Sequence, residues 1–276
     1  MTHMIEETKP DFEAIKQRQQ AAWASGDFSE IAATIVPVAE RLVDAADLRA
    51  GWSVLDVATG SGNAAIAAAR LGCRATGSDY VPGLLDRGRE RARAERLEVE
   101  FVEADAENLP FGDASFDAVT SVYGTMFAPD HERTAAEAAR VVRPAGTIGL
   151  VSWTPEGFLG SMFRTVGSHV PPPAGVASPM LWGTEEHLAE IFAGTVEWTA
   201  HERRIFSFRY PSAEAFVDFF VTYYGPTLKA VEALGDDGDA LRSDLADLAR
   251  EWNRLGEDDG AIAIPGEYLE SVGRRV

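Results

Sequence analysis

Three aspartates and two glycines carry the chemistry most readily seen in this chain. Gly60 and Gly62 stand in VLDVATGSGNAA, from Val54 to Ala65, after a β-rich run and before an alanine-rich one. Glycine in such a turn tolerates positive φ and lets a ligand approach backbone N–H groups with no Cβ in the way. The start of the following helix adds a partial positive charge suited to a carboxylate or phosphate. Read alone, the loop also matches the dinucleotide fingerprint G-x-G-x-x-A, with Ala65 in the last place. Asp79, closing the second β-rich run, would hydrogen-bond a ribose in either case.

Asp56 and the segment EADAENLPF separate the two readings. Asp56 sits inside an otherwise apolar strand, where a carboxylate is costly unless something satisfies it. It would repel a pyrophosphate approaching that turn and attract a ligand bearing an ammonium and a sulfonium. EADAENLPF follows the third β-rich run, at the C-terminal sheet edge where ligands bind in open α/β sheets. There a carboxylate accepts from an exocyclic amine while the next backbone N–H donates to a ring nitrogen. An adenine needs both. The plainer role for Asp105 is a turn cap, but three aspartates at three successive strand ends argue against coincidence.

The elements that must position these residues fall into three zones with no flexible linker between them, so a single domain is expected over 1–276. Residues 1–50 read as a helical cap, with Ile31, Ile35, Val38 and Leu42 at helical spacing. Residues 51–154 alternate strands (SVLDVA, CRATGSDY, LEVEFVEAD, FDAVTSVYG, TIGLVSW) with helices, which predicts right-handed βαβ units and a parallel sheet. RPAG reads as the turn that stops the helix ERTAAEAARVV before the fifth strand. Residues 155–276 contain SHVPPPAGVASP (168–179), too proline-rich for helix or central strand. A short helix capped by Thr184, an edge strand in WTAHERRIFSFRY, further helices and a last strand in IAIPGEYLESV complete this elaboration.

In order, spacing and wording, VLDVATGSGN, TGSDYVPGLL, EADAENLPFGDASFDAV and ARVVRPAGTIGLVSW resemble the successive motifs of class I S-adenosylmethionine-dependent methyltransferases. The small-molecule branch related to ubiquinone/menaquinone-biosynthesis methyltransferases is the most similar. Two departures are Ala58 where glycine is usual and Arg-Pro-Ala-Gly where Arg-Pro-Gly-Gly is commoner. The resemblance implies a Rossmann-like, doubly wound, mostly parallel seven-stranded α/β fold that binds S-adenosyl-L-methionine and releases S-adenosyl-L-homocysteine. It implies that Asp56 orients the loop and reaches toward the methionine amine, while Ala58, Gly60 and Gly62, with Ser61 and Asn63, line the methionyl moiety. Asp79 would take the ribose hydroxyls and Tyr80 lie against the adenine. Asp105 would accept from the adenine amine and Ala106 N–H meet the ring, with Glu107 beside them. Val122 and Tyr123 would flank the sulfonium. By their position in the N-terminal helices, Trp23 and Phe28 are candidates to close over the cofactor, although packing against the sheet is the plainer role for both.

Methyl transfer from a sulfonium is an in-line displacement from an already activated donor, so alignment and water exclusion matter most and a base is optional. The candidate catalytic residues are Tyr123, His131 and His169. His131 follows the fourth strand, although a solvent-facing helix start is the commoner role for such a residue. His169 precedes the proline run, in a segment placed to cover a pocket. Phe216, Phe219, Phe220 and Tyr223 recur at helical spacing, with Tyr224 beside them, and Trp153, Phe158, Phe163 and Trp182 follow the fifth strand. Such a stripe is more often core than pocket, yet an aromatic-lined site there would suit a ring-bearing or apolar small-molecule acceptor.

Forty-four acidic against 25 basic residues give a net charge of −19, a field that repels nucleic acid and anionic lipid. One cysteine, Cys73, allows no intrachain disulfide, and the five histidines show no metal-ligand spacing, so no metal is expected. The acidic start MTHMIEETKP is not a secretory signal, and no apolar run reaches membrane-spanning length. The expectation is a cytoplasmic enzyme, with homodimerisation left open. Two other readings remain: an NAD(P)-dependent oxidoreductase, and a non-catalytic S-adenosylmethionine- or S-adenosylhomocysteine-binding protein.

Overall fold

The structure, a computed structural model, describes residues 10–256 and 260–276. Seven strands make one sheet: β1 (Ser53–Val57), β2 (Arg74–Asp79), β3 (Val99–Glu103), β4 (Phe116–Val122), β5 (Val142–Trp153), β6 (Val196–Tyr210) and β7 (Ile262–Arg275). Their spatial order is β3-β2-β1-β4-β5-β7-β6. Neighbours from β3 to β5 pair in parallel, whereas β7 runs antiparallel to both β5 and β6. The dinucleotide-binding Rossmann sheet has the order 3-2-1-4-5-6. This sheet departs from it by an antiparallel last strand slotted beside β5.

Among the described residues, three helices precede β1: α1 (Phe12–Trp23), α2 (Phe28–Thr34) and α3 (Val36–Ala45). The connections α4 (Asn63–Arg70), α5 (Pro82–Ala94) and α6 (His131–Val141) link the parallel strands. Two helices, α7 (Phe158–His169) and α8 (Glu185–Ile191), lie between β5 and β6; α9 (Ala213–Tyr223), α10 (Gly225–Leu234) and α11 (Gly238–Glu251) lie between β6 and β7. Short side chains let α4 bury Asn63 through Ala69 against the sheet. Pro82 opens α5 where a missing N–H costs nothing. Asp130 caps α6 by accepting from Arg133 N–H, and Thr184 caps α8 by accepting from His187 N–H, the latter as the sequence predicts.

WTAHERRIFSFRY is indeed an edge strand and IAIPGEYLESV lies within the last one. RPAG behaves differently from its expected role as a turn. The helix stops at Val141 and β5 begins at once, with Val142 opposite Phe116 and a register shift before Ala118 pairs with Thr147. Arg143 is drawn to Asp117 on β4 at 2.7 Å, and Ala145 takes up the irregularity at φ 58°. The aromatic stripe is core: Phe216 and Phe220 are buried, with Phe219 and Tyr223 packed against them. No helix among the described residues is long and apolar enough to cross a membrane.

Candidate active site

The C-terminal ends of β1, β2, β3 and β4 converge on one cavity. At the end of β1, Asp56 is only 2% exposed. Its Oδ2 accepts from Thr59 Oγ1 at 2.5 Å and from Ala65 N–H at 3.3 Å, and its Oδ1 accepts from Thr120 Oγ1 at 3.0 Å. One carboxylate thus ties the loop to α4 and β4. Burial pushes its pKa up to about 6 against the pull of those hydrogen bonds. The loop itself is left-handed at Ala58, Gly60 and Gly62. At Gly62, with φ 88°, a Cβ would also come within 2.9 Å of the Phe101 ring.

Asp79 closes β2 and accepts from Gly60 N–H and Val81 N–H, both at 2.9 Å. Burial again raises its pKa, to about 6. After β3, Asp105 Oδ1 accepts from Glu107 N–H at 2.9 Å, the Asx turn expected of the plainer reading. Its Oδ2 lies 2.6 Å from Lys16 Nζ. Glu107 meets the same ammonium at 3.0 Å and accepts from Asp130 N–H at 2.8 Å. Tyr123, after β4, sits at φ 57° with its ring stacked on Trp153 at 3.7 Å. Its hydroxyl is buried without a partner, and burial holds its pKa well above the usual range.

Helix α1 covers this cavity, which the sequence had suggested only for Trp23. Lys16, Gln19 and Trp23 all line it. Gln19 donates to Phe127 O at 3.1 Å, and Gln20 donates to Tyr80 O. Trp23 packs edge-on against Phe28, Phe127 and Tyr224 at 5.0–5.3 Å between ring centroids. Lys16 and Gln19 escaped sequence reasoning because no local pattern links residue 16 to residue 105. A weak signal did exist. Lysine occurs only three times in the chain, against 22 arginines, and one of the three falls on this helix.

Of the residues singled out from sequence, Asp56, Ala58, Gly60, Asn63, Asp79, Tyr80, Asp105, Ala106, Val122, Tyr123 and Trp23 line the cavity together. Ser61, Gly62 and Glu107 stand behind it. Ser61 gives its carbonyl to Arg91 at 2.8 Å, and Glu107 faces Lys16 and α6. His131 and His169 are not brought to it. His131 is buried rather than solvent-facing, because α6 packs against α8. Its Nδ1 lies 2.8 Å from His187 Nε2. Burial, then the neighbouring His187, lowers its pKa to about 4. His169 ends α7 and pairs with Asp244 of α11 at 2.7 Å. Trp153, Phe158, Phe163 and Trp182 do not line the cavity; its aromatic wall is Trp23, Phe28 and Phe127 instead.

The fold and the glycine loop at the switch between β1 and β4 define a Rossmann-like enzyme of the methyltransferase type. A family model described as "Methyltransferase domain" matches residues 55–150. A demethylmenaquinone methyltransferase of Thermus thermophilus is 36% identical over 154 residues, covering 54% of this chain and 70% of that protein. An uncharacterised protein of Mycobacterium tuberculosis is 40% identical over 236 residues, covering 83% of this chain and 86% of the relative. The crystal structure of a putative methyltransferase from Bacillus halodurans superposes with a TM-score of 0.60 at 22% identity, covering 86% of this chain and 97% of the other. The chain belongs to the class I S-adenosylmethionine-dependent methyltransferases.

Proposed function

We propose that this enzyme methylates a small, apolar or ring-bearing acceptor in the cytoplasm, with S-adenosyl-L-methionine bound along the ends of β1 to β4 and no nucleic acid involved. One observation carries the reading. A single cavity joins the carboxylates of Asp79 and Asp105 to an aromatic wall of Trp23, Phe28 and Phe127. The residues present suit the donor. Asp79 has acceptor capacity left for ribose hydroxyls after its two backbone N–H bonds. Asp105 and the N–H of Ala106 stand ready for the two edges of an adenine. Tyr80 and Leu84 supply apolar surface beside them. Asp56 chiefly holds the loop, since three donors from the protein already occupy its two oxygens, one more than at Asp79.

When bound, the donor supplies an activated methyl group on a sulfonium. The chain's part is to bind it, exclude water and align the acceptor. Val122, Gly124, Ala128 and Pro129 continue the wall from β4 beyond the donor positions. Among the described residues no histidine lines this wall, and burial keeps the Tyr123 phenol protonated. An acceptor that brings its own nucleophile suits this wall: an amine, a thiolate, or an ionised phenol or its ring carbon. Turnover tests this reading, as methyl transfer from isotopically labelled S-adenosylmethionine into a panel of quinols, phenols, amines and thiols. Binding of S-adenosylhomocysteine with no transfer to any small molecule would favour a non-catalytic binder instead.

A further inference from the structure

Helix α1 lies over the cavity while contributing little to the core, Ile15 being its one buried residue. Its C-terminal end is held by Trp23 against Phe28, Phe127 and Tyr224 and by packing on α10, whereas toward the adenine end polar side chains do the holding: Lys16 to Asp105 and Glu107, Gln19 to Phe127 O, Gln20 to Tyr80 O. A segment with few buried apolar contacts opens at low free energy compared with the rest of the fold. Lys16 makes the strongest of these contacts, because both its partners are carboxylates. Burial works against its charge, but the hydrogen bonds to Asp105 and Glu107 outweigh that and raise its pKa, so the ammonium persists. Among the described residues it is the only cation lining the cavity.

The far end of this contact is anchored. Glu107 is buried, and its other oxygen accepts from Asp130 N–H at the start of α6. Asp105 is gripped from two sides, by Lys16 on Oδ2 and by Glu107 N–H on Oδ1. A carboxylate has about four acceptor positions, so each oxygen keeps one for a further donor. A lysine suits this place because one compact ammonium with three donors can serve two carboxylates that would otherwise repel each other.

We propose that Lys16 is a positioning residue for the methyl donor: clamped between Asp105 and Glu107, it latches α1 over the adenine end of the cavity and fixes the Asp105 carboxylate for the adenine amine. The inference rests on reading this cavity as the S-adenosylmethionine site. Product release then requires Lys16 to detach, so the latch sets the residence time of S-adenosylhomocysteine.

Stopped-flow fluorescence of Trp23 on the full chain, with S-adenosylhomocysteine as the probe, reads that residence time. Lys16→Met is expected to speed dissociation about tenfold, equivalent to about 1.4 kcal/mol, and Glu107→Gln to act in the same direction. Lys16→Arg, which keeps the charge but not the compact ammonium, should recover part of the loss. In ligand-free protein, hydrogen exchange over residues 12–23 should quicken in Lys16→Met while the central strands keep their protection. If the wild-type protein binds S-adenosylhomocysteine and Lys16→Met changes neither dissociation nor exchange, the latch is overturned and the site reading stands. Wild-type protein that binds no S-adenosylhomocysteine overturns both.

Discussion

Two buried carboxylates give the proposed cofactor site a testable dependence on pH. Asp56 and Asp79 are both raised to about 6 in the folded protein, chiefly by burial, above an unfolded value of about 3.9. Their contribution to stability is therefore fully present below about pH 4 and is lost as pH rises through about 6. Ligand binding runs the other way, since a cationic donor and its ribose hydroxyls want the ionised form. Affinity for S-adenosylmethionine should weaken as pH falls from 7.5 to 5, with the break near 6. Calorimetric titration across that range checks this, and Asp79→Asn should bind weakly with a flatter profile. Asp56→Ala should abolish binding, because Thr59, Thr120 and Ala65 all lose their common partner. Asp105→Ala should weaken S-adenosylhomocysteine by about 1–3 kcal/mol, the cost of a lost hydrogen bond to a buried group. Unchanged affinity in Asp56→Ala would sink the assignment of the loop.

At the scale of elements, the turn from β1 into α4 and the packing of α6 on α8 each carry a prediction. Gly62 combines φ 88° with the Phe101 ring 2.9 Å from where a Cβ would stand. Gly62→Ala should cost more than about 1 kcal/mol and lower the melting temperature even without ligand. Between α6 and α8, the His131–His187 contact needs one ring to donate and the other to accept, so the pair cannot be doubly protonated there. His131 is depressed to about 4 when folded, below an unfolded value of about 6.5. Its contribution is thus present above pH 6.5 and is lost as pH falls toward 4. The melting temperature of wild type, relative to His131→Asn, should shrink across that window; a constant difference would mean that the pair does not titrate with folding. Neither feature was readable locally. Gly62 belonged to a recognised loop, but the ring behind it comes from β3. His131 looked like a surface helix start because His187 lies 56 residues away.

At the scale of the whole molecule, the charge of −19 and the sheet order bear on what can bind. The antiparallel β7 beside β5 is not the all-parallel sheet of a dinucleotide enzyme, and Asp56 stands where a pyrophosphate would approach. S-adenosylhomocysteine at about 100 times its Kd should stabilise the fold by about 2.7 kcal/mol, visible as a rise in melting temperature. NAD should give none. A shift with NAD alone would return the oxidoreductase reading.

Strand-and-helix alternation, the glycine loop and Asp56, Asp79 and Asp105 were all present in the sequence by itself. Each depends on near neighbours in the chain: side-chain periodicity, a turn that tolerates positive φ, a carboxylate at a strand end. What only the tertiary structure decided is who else meets there. Lys16 reaches Asp105 across 89 residues, Phe127 joins Trp23 in one wall, and the aromatics after β5 turn into the core instead of the cavity. Those outcomes follow from how helices pack across the edge of a sheet, which depends on long-range contacts that no local pattern encodes.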